Sequence, residues 1–251
     1  MSPHLAEAME SITLRSGFNE SLSIPLSINV MDANITALTG PAAAELLNVP
    51  FTETLAFGLA RSSSDVARVV NPHPNWALTQ LAASPEGNEL ARWINPGPGL
   101  NTTLGAPAQS ALYAMKFVVS SSSIPAANFK FNWSVDDALG DPFGTNPIGV
   151  YLNGLSLPLA FSGGGIGGES SASADVTTGF GLQSGDNWLY VYQRDTNRVV
   201  SGVVFAATLT IVPEPGPFAL WMSGLLSAAI YSWSRSDRRV LAFCGKLNAA
   251  G

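Results

Sequence analysis

The stretch Phe129-Lys130-Phe131-Asn132-Trp133-Ser134-Val135-Asp136 alternates apolar and polar residues without a break. Successive side chains of a strand point to opposite faces, so this pattern demands a strand with one face in a core and the other toward polar surroundings. Residues 111–119 read as a second strand, richer in apolar residues and more central. Residues 148–152 run into Asn153-Gly154 and then Leu155-Ser156-Leu157. Asn-Gly between apolar runs is a strong hairpin signal, because both turn residues need φ > 0. Residues 187–192 and 199–211 supply further strands, with Asp195-Thr196-Asn197 as the turn between them. Only residues 43–47 and 85–93 offer helical stretches. The expected fold is all-β, a sandwich over residues 25–211, with 1–24 as an N-terminal segment that carries the first strand and no signal peptide.

Composition narrows the chemistry. The single cysteine, Cys244, excludes an internal disulfide framework and a multi-thiolate metal site. Two histidines, His4 and His73, leave little material for a His-based active site. The net charge of −6 argues against nucleic acid as a partner, since that needs a basic face. The Gly-rich run 162–168 lacks the lysine and the strand-loop-helix context of a phosphate-binding loop, and reads as a flexible connection. The serines at 62–64 and 120–123 sit in no Gly-x-Ser-x-Gly elbow. The body therefore reads as non-catalytic.

The charge is divided unevenly. Residues 1–212 hold 16 Asp/Glu against 8 Lys/Arg, whereas Arg235, Arg238, Arg239 and Lys246 face only Asp237 in the tail. Between body and tail, residues 215–234 carry no charged side chain. A helix over 218–233 would be about 24 Å long at ~1.5 Å per residue, just short of a hydrocarbon core of ~30 Å. Trp221, Tyr231 and Trp233 would sit near the interfaces, and the arginines would hold the C-terminus in the cytoplasm. A single transmembrane helix is therefore expected over 217–234, followed by a basic cytoplasmic tail over 235–251.

Val212-Pro213-Glu214-Pro215-Gly216, an apolar segment and then Arg235, Arg238 and Arg239 stand in that order at the C-terminus. This three-part arrangement resembles the PEP-CTERM sorting signal of bacterial exported proteins. The resemblance implies an exosortase-type membrane protease as partner, cleavage at the Pro-Glu-Pro motif (212–216), an inner-membrane precursor, and a final place at the cell surface or outside the cell. The prolines flanking Glu214 favour an extended backbone, the form a protease binds. A second resemblance spans residues 71–211. Trp76, Ala91-Arg92-Trp93-Ile94, Phe131 to Asp137, Val150-Tyr151-Leu152-Asn153-Gly154 and Ser184-Gly185-Asp186-Asn187-Trp188 follow in an order similar to the galactose-binding-like jelly-roll body of PEP-CTERM proteins. Residues 25–70 fit that order poorly and read as an additional region. The two resemblances imply a structural or adhesive role in an exopolysaccharide or biofilm matrix. The alternatives are a secreted carbohydrate-binding module or carbohydrate-active enzyme, and a permanently membrane-anchored β-domain.

Two sets of residues could carry binding. Asp136, Asp137 and Asp141 cluster at a strand end and could hold a structural Ca²⁺, or simply cap a turn through local hydrogen bonds. Adjacent strand residues face opposite ways, which rules out Asp136 and Asp137 as a joint acid and base on one glycosidic bond. Among the aromatics Trp76, Trp93, Trp133, Trp188, Tyr113, Tyr151, Tyr190 and Tyr192, an aromatic ring could stack on the apolar face of a sugar. Trp133 alternates with Phe131 and belongs to the core. Trp188 and Tyr190 share a face beside a turn and are the better platform candidates.

Overall fold

The computed structural model describes residues 9–39, 49–77, 80–82, 90–96, 110–122, 124–176, 178–195 and 201–212. The sorting motif from Pro213, the expected membrane helix and the basic tail lie outside the described residues, as do Cys244 and the expected helix at 43–47. Among the described residues no helix is long and apolar enough to cross a membrane.

Among the described residues, sixteen strands follow in chain order: β1 (Glu10–Arg15), β2 (Phe18–Asn19), β3 (Ile24–Pro25), β4 (Met31–Leu38), β5 (Val66–Val69), β6 (Gln80–Ala82), β7 (Leu90–Arg92), β8 (Ile94–Asn95), β9 (Ala111–Val119), β10 (Ala126–Val135), β11 (Ala138–Leu139), β12 (Val150–Leu152), β13 (Leu155–Ser156), β14 (Ser170–Asp175), β15 (Gly185–Arg194) and β16 (Val203–Val212). Twelve join one antiparallel sheet, ordered β13-β12-β15-β9-β4-β5-β8-β16-β10-β14, with β1 on β16 and β11 on β15. Strand β16 has β10 along its whole length on one side and β1 and β8 on the other. Strand β1, within the N-terminal segment, pairs with β16 and so belongs to the same sheet as the rest.

The sheet curls because its two ends bury one core. Phe129, Phe131, Trp133 and Val135 alternate along β10 and face inward beside Phe205, Ala207 and Leu209 of β16. Tyr113, Met115 and Phe117 of β9 and Leu189 and Val191 of β15 fill the same cluster from the other half. The result is a two-layered, jelly-roll-like fold of the expected all-β class.

Both outer faces are also partly covered. Residues 51–62 lie over β9 and β15, with a π-helical turn (Glu53–Phe57) leading into α1 (Gly58–Ser62). The Thr52 hydroxyl starts this segment by accepting the Leu55 amide at 3.2 Å. On the outer face of β16, Val204 and Ala206 pack with Trp76, Leu81 and Trp93. Residues 90–92, expected in a helix, form β7 instead; paired with β6 they help roof this cluster. The π/α segment at 53–62 was not visible as a periodic pattern, because only one short apolar face, Ala56, Phe57 and Ala60, is buried.

Two local readings are refined. Asn153 (φ 48°) and Gly154 (φ 81°) form the expected β12–β13 hairpin turn. The Gly-rich run 162–168 is pinned rather than loose. Gly163 exchanges backbone hydrogen bonds with Leu139, the Trp133 indole N–H donates to the Gly163 carbonyl at 3.0 Å, and the Ser134 hydroxyl donates to the Gly165 carbonyl at 3.0 Å. At Gly164 (φ 96°) a Cβ would stand 2.5 Å from the Trp133 indole nitrogen, so only glycine fits.

Candidate functional site

Trp188 and Tyr190 do share the outer face of β15, with ring centroids 6.4 Å apart and planes 22° apart. The covering segment changes what that face can do. Phe57 lies 4.7 Å from the Tyr190 ring, and Phe51, Phe57, Tyr151 and Tyr192 form a continuous aromatic cluster beside it. Arg61 donates to the Tyr190 hydroxyl at 2.8 Å, pairs with Glu53, and sets its guanidinium 5.6 Å from the Trp188 ring. Burial raises the pKa of the Tyr190 hydroxyl, against the opposing effect of Arg61. Tyr190 is fully buried, so it is a core residue and not an open platform. Trp188 is half-buried beside Arg61. Of the other aromatics considered, Trp76, Trp93, Trp133, Tyr113, Tyr151 and Tyr192 are all buried.

The three aspartates do not converge. Asp136 directly follows β10, and its carboxyl is pushed up to about 6, first by burial and then by the charges of Asp137 and Asp195, while the Trp76 indole N–H works the other way. Asp137 takes a left-handed conformation (φ 68°) that turns the chain. Asp141 turns to Arg194, with 3.2 Å between carboxylate and guanidinium. Among the described residues no three His, Cys, Asp or Glu side chains stand together as a metal-holding set. The three carboxylates considered for a Ca²⁺ are thus not assembled into one such set.

The motifs Asn153-Gly154 and Gly185-Asp186-Asn187 turn out to be one structural unit. Asn187 is fully buried; its amide donates to the carbonyls of Gln183 (2.7 Å) and Gly185 (2.9 Å). Its Oδ1 accepts from the Asn153 side chain (2.9 Å) and the Gln183 amide (3.1 Å). The Trp188 amide donates to Asn153 Oδ1 at 2.8 Å. Every polar atom of the Asn187 side chain is satisfied, which ties the β12–β13 turn to the start of β15.

Among the described residues a cleft lies beside β5, β7 and the β3–β4 connection. It has a volume of about 430 Å³ and is lined by Leu26, Ser27, Ile28, Val69, Val70, Asn71, Pro72, Arg92 and Trp93. Its lining is mixed, with Ser27, Asn71 and Arg92 as the polar groups among apolar neighbours. The β2–β3 hairpin and the following turn bring exposed Leu22, Ile24, Ile28, Val30 and Met31 to the same region. Beside it lies Asp32, fully buried, whose Oδ2 accepts the Gly17 amide at 2.7 Å and whose Oδ1 accepts the Asn34 amide at 3.2 Å. Burial outweighs those bonds and pushes the Asp32 carboxyl up to about 6. Sequence reasoning passed over this cleft. The signal was the alternating run Leu22-Ser23-Ile24-Pro25-Leu26-Ser27-Ile28, which leads into the region set aside as fitting poorly.

No family model and no curated protein matches the chain. Solved structures do show similarity. A family 35 carbohydrate-binding module from an environmental isolate is 13% identical, with a TM-score of 0.27 over 61% of this chain and 92% of that one. A family 35 carbohydrate-binding module from Clostridium thermocellum is 7% identical, with a TM-score of 0.25 over 57% of this chain and 86% of that one. A cyclase from Fischerella sp. TAU is 11% identical, with a TM-score of 0.33 over 81% of this chain and all (100%) of that one.

Proposed function

We propose that this is a non-catalytic protein of the bacterial cell surface or extracellular matrix, sorted and cut at Pro213-Glu214-Pro215 and in contact with polysaccharide. The observation that carries the reading is where the unit that holds the sheet gives way to the next unit of the chain. The sheet's unit ends at Val212, the last residue of β16 and half-exposed, directly before Pro213. Cleavage at the motif would leave every paired residue of the sheet in place, so the body could be released without unfolding. An apolar segment and the cluster Arg235, Arg238 and Arg239 follow in the sequence, as a membrane-held precursor requires.

The test is intact mass of the protein recovered from membrane, cell surface and medium, for the wild type and for Glu214→Ala. The proposal expects a mature C-terminus near Pro213 to Pro215 in the wild type and accumulated precursor in the variant. Full-length protein in the membrane for both would sink it and leave the permanently anchored alternative.

A second reading, a carbohydrate-binding module, is favoured by the cleft with its mixed lining and its Ser27, Asn71 and Arg92 side chains. A binding screen of the protein against soluble glycans separates it from a purely structural role. Turnover of any of those glycans would overturn the non-catalytic assignment.

A further inference from the structure

Phe143 is completely exposed (100%), more than any other large apolar side chain among the described residues. It stands at the tip of the turn between β11 and β12, between Pro142 and Gly144. An exposed aromatic ring usually folds back onto its surroundings, since a ring of this kind gains about 25 cal/mol for each Å² of apolar surface removed from water. Here the ring stays fully exposed on a turn whose backbone is held by hydrogen bonds. The Asp141 amide donates to the Asn146 carbonyl at 2.8 Å, and the Gly144 amide donates to the Asp141 carbonyl at 3.0 Å. The neck of the loop is anchored as well. Asn146, almost fully buried, donates from its side chain to the Val49 carbonyl at 2.8 Å and accepts the Phe51 amide at 2.9 Å. Asp141 is held by Arg194 at 3.2 Å, and the Gly140 amide donates to the Tyr192 carbonyl at 2.9 Å. Pro142 restricts φ one residue before the ring.

We propose that Phe143 is a pre-organised stacking platform for one pyranose ring of a polysaccharide. The inference rests on the polysaccharide-contact reading above and names the residue that makes the contact. A Phe face matches the apolar C–H face of a hexopyranose in size, and a platform fixed before binding loses little conformational entropy on contact. The Asp141–Arg194 pair holds the neck of the same loop, and Thr145, two residues past the ring, is exposed. Other occupants fit less well. A ring that buries about 150–250 Å² is far below the ~800 Å² per partner of a stable protein interface. An anionic bilayer would be repelled by a body with 16 Asp/Glu against 8 Lys/Arg over residues 1–212.

The test uses the full-length protein as wild type, Phe143→Ala and Phe143→Trp. Isothermal titration with cellohexaose and with a β-galacto-oligosaccharide reads the affinity, and thermal unfolding reads the fold. The expected result is at least a tenfold loss of affinity for Phe143→Ala, retained or tighter binding for Phe143→Trp, and an unchanged thermal midpoint for both. Equal binding by the wild type and Phe143→Ala overturns the platform and leaves the polysaccharide reading in place. No binding by the wild type to any glycan, these two included, overturns the polysaccharide reading itself. Loss in Phe143→Ala of sedimentation with phosphatidylglycerol vesicles, or of self-association, without any change in glycan affinity would assign the ring to a membrane or to a second copy and overturn the proposal.

Discussion

The buried carboxyl of Asp32 contributes to stability a pH dependence opposite in direction to the usual acid unfolding. The side chain is fully buried and accepts two backbone amides, Gly17 at 2.7 Å and Asn34 at 3.2 Å. Burial is the largest influence on it, with the charge of Glu20 adding to the same side, and its carboxyl titrates at about 6 instead of 3.8. The unfolded chain releases this proton near pH 4, as any free aspartate does (~3.9). The folded chain holds it until about pH 6. Below pH 4 both states are protonated and the group costs nothing. From about pH 4 to 6 the unfolded state binds fewer protons than the folded one, so stability falls as pH rises. Two pH units at about 1.4 kcal/mol each give a loss of about 3 kcal/mol, complete by about pH 7.

Asp32→Asn isolates this effect. The amide never ionises, and it keeps one oxygen for one of the two backbone amides. Its NH₂ then faces the other donor, a mismatch worth about 1–3 kcal/mol at every pH. Urea unfolding of wild type and variant at pH 4, 5, 6 and 7 gives the difference between them. The wild type is expected to be the more stable at pH 4, by about 1–3 kcal/mol. That advantage shrinks by about 3 kcal/mol by pH 7, so the two become equal or change order. Asp136 is present in both proteins and cancels in the difference. A difference that stays constant within about 1 kcal/mol from pH 4 to 7 would refute the argument.

Four further outcomes follow from the contacts described. Glu10 accepts the Ser120 and Ser121 amides and the Ser121 hydroxyl at 2.8, 2.8 and 2.6 Å; burial works to raise its pKa, but these bonds prevail and hold it lowered. Glu10→Gln should therefore lower the thermal midpoint at pH 7, and the gap should close as pH falls through the carboxylate range near ~4. Asn187→Ala leaves several buried backbone groups unpaired and should cost about 2–4 kcal/mol in urea unfolding; a cost under about 1 would mean water replaces the side chain. Tyr190→Ala should cost about 3–5 kcal/mol, far more than Trp188→Ala, whereas an open sugar platform at Tyr190 would show little change in stability and a loss of glycan binding. Gly164→Ala should lower the thermal midpoint by several degrees, because its Cβ meets the Trp133 indole.

Much of the strand framework was legible along the chain. Residues 129–135 carry the period of two that a pleated strand imposes on its own neighbours, residues 111–119 the apolar run of a strand covered on both faces, and Asn153-Gly154 the φ > 0 preference of its turn. Those are local rules, settled within a few residues. The partition into an acidic body and an uncharged segment ahead of basic residues was equally local, a matter of which residues stand where.

What the fold decided lies between segments far apart in sequence. β4, from the region that fitted no pattern, lies between β9 and β5 because its backbone pairs with theirs. Tyr190 is buried because residues 51–62, more than a hundred positions away, pack over it. Asp136, Asp137 and Asp141 are neighbours in sequence, yet Asp141 follows Arg194 while Asp136 lies beside Trp76. Phe143 looked like any other loop aromatic until Asn146, Asp141 and Gly144 fixed its backbone. Periodicity records which side of a strand is apolar. Whether that side is then covered, and by what, depends on contact energies between distant residues, and these exist only once the chain has folded.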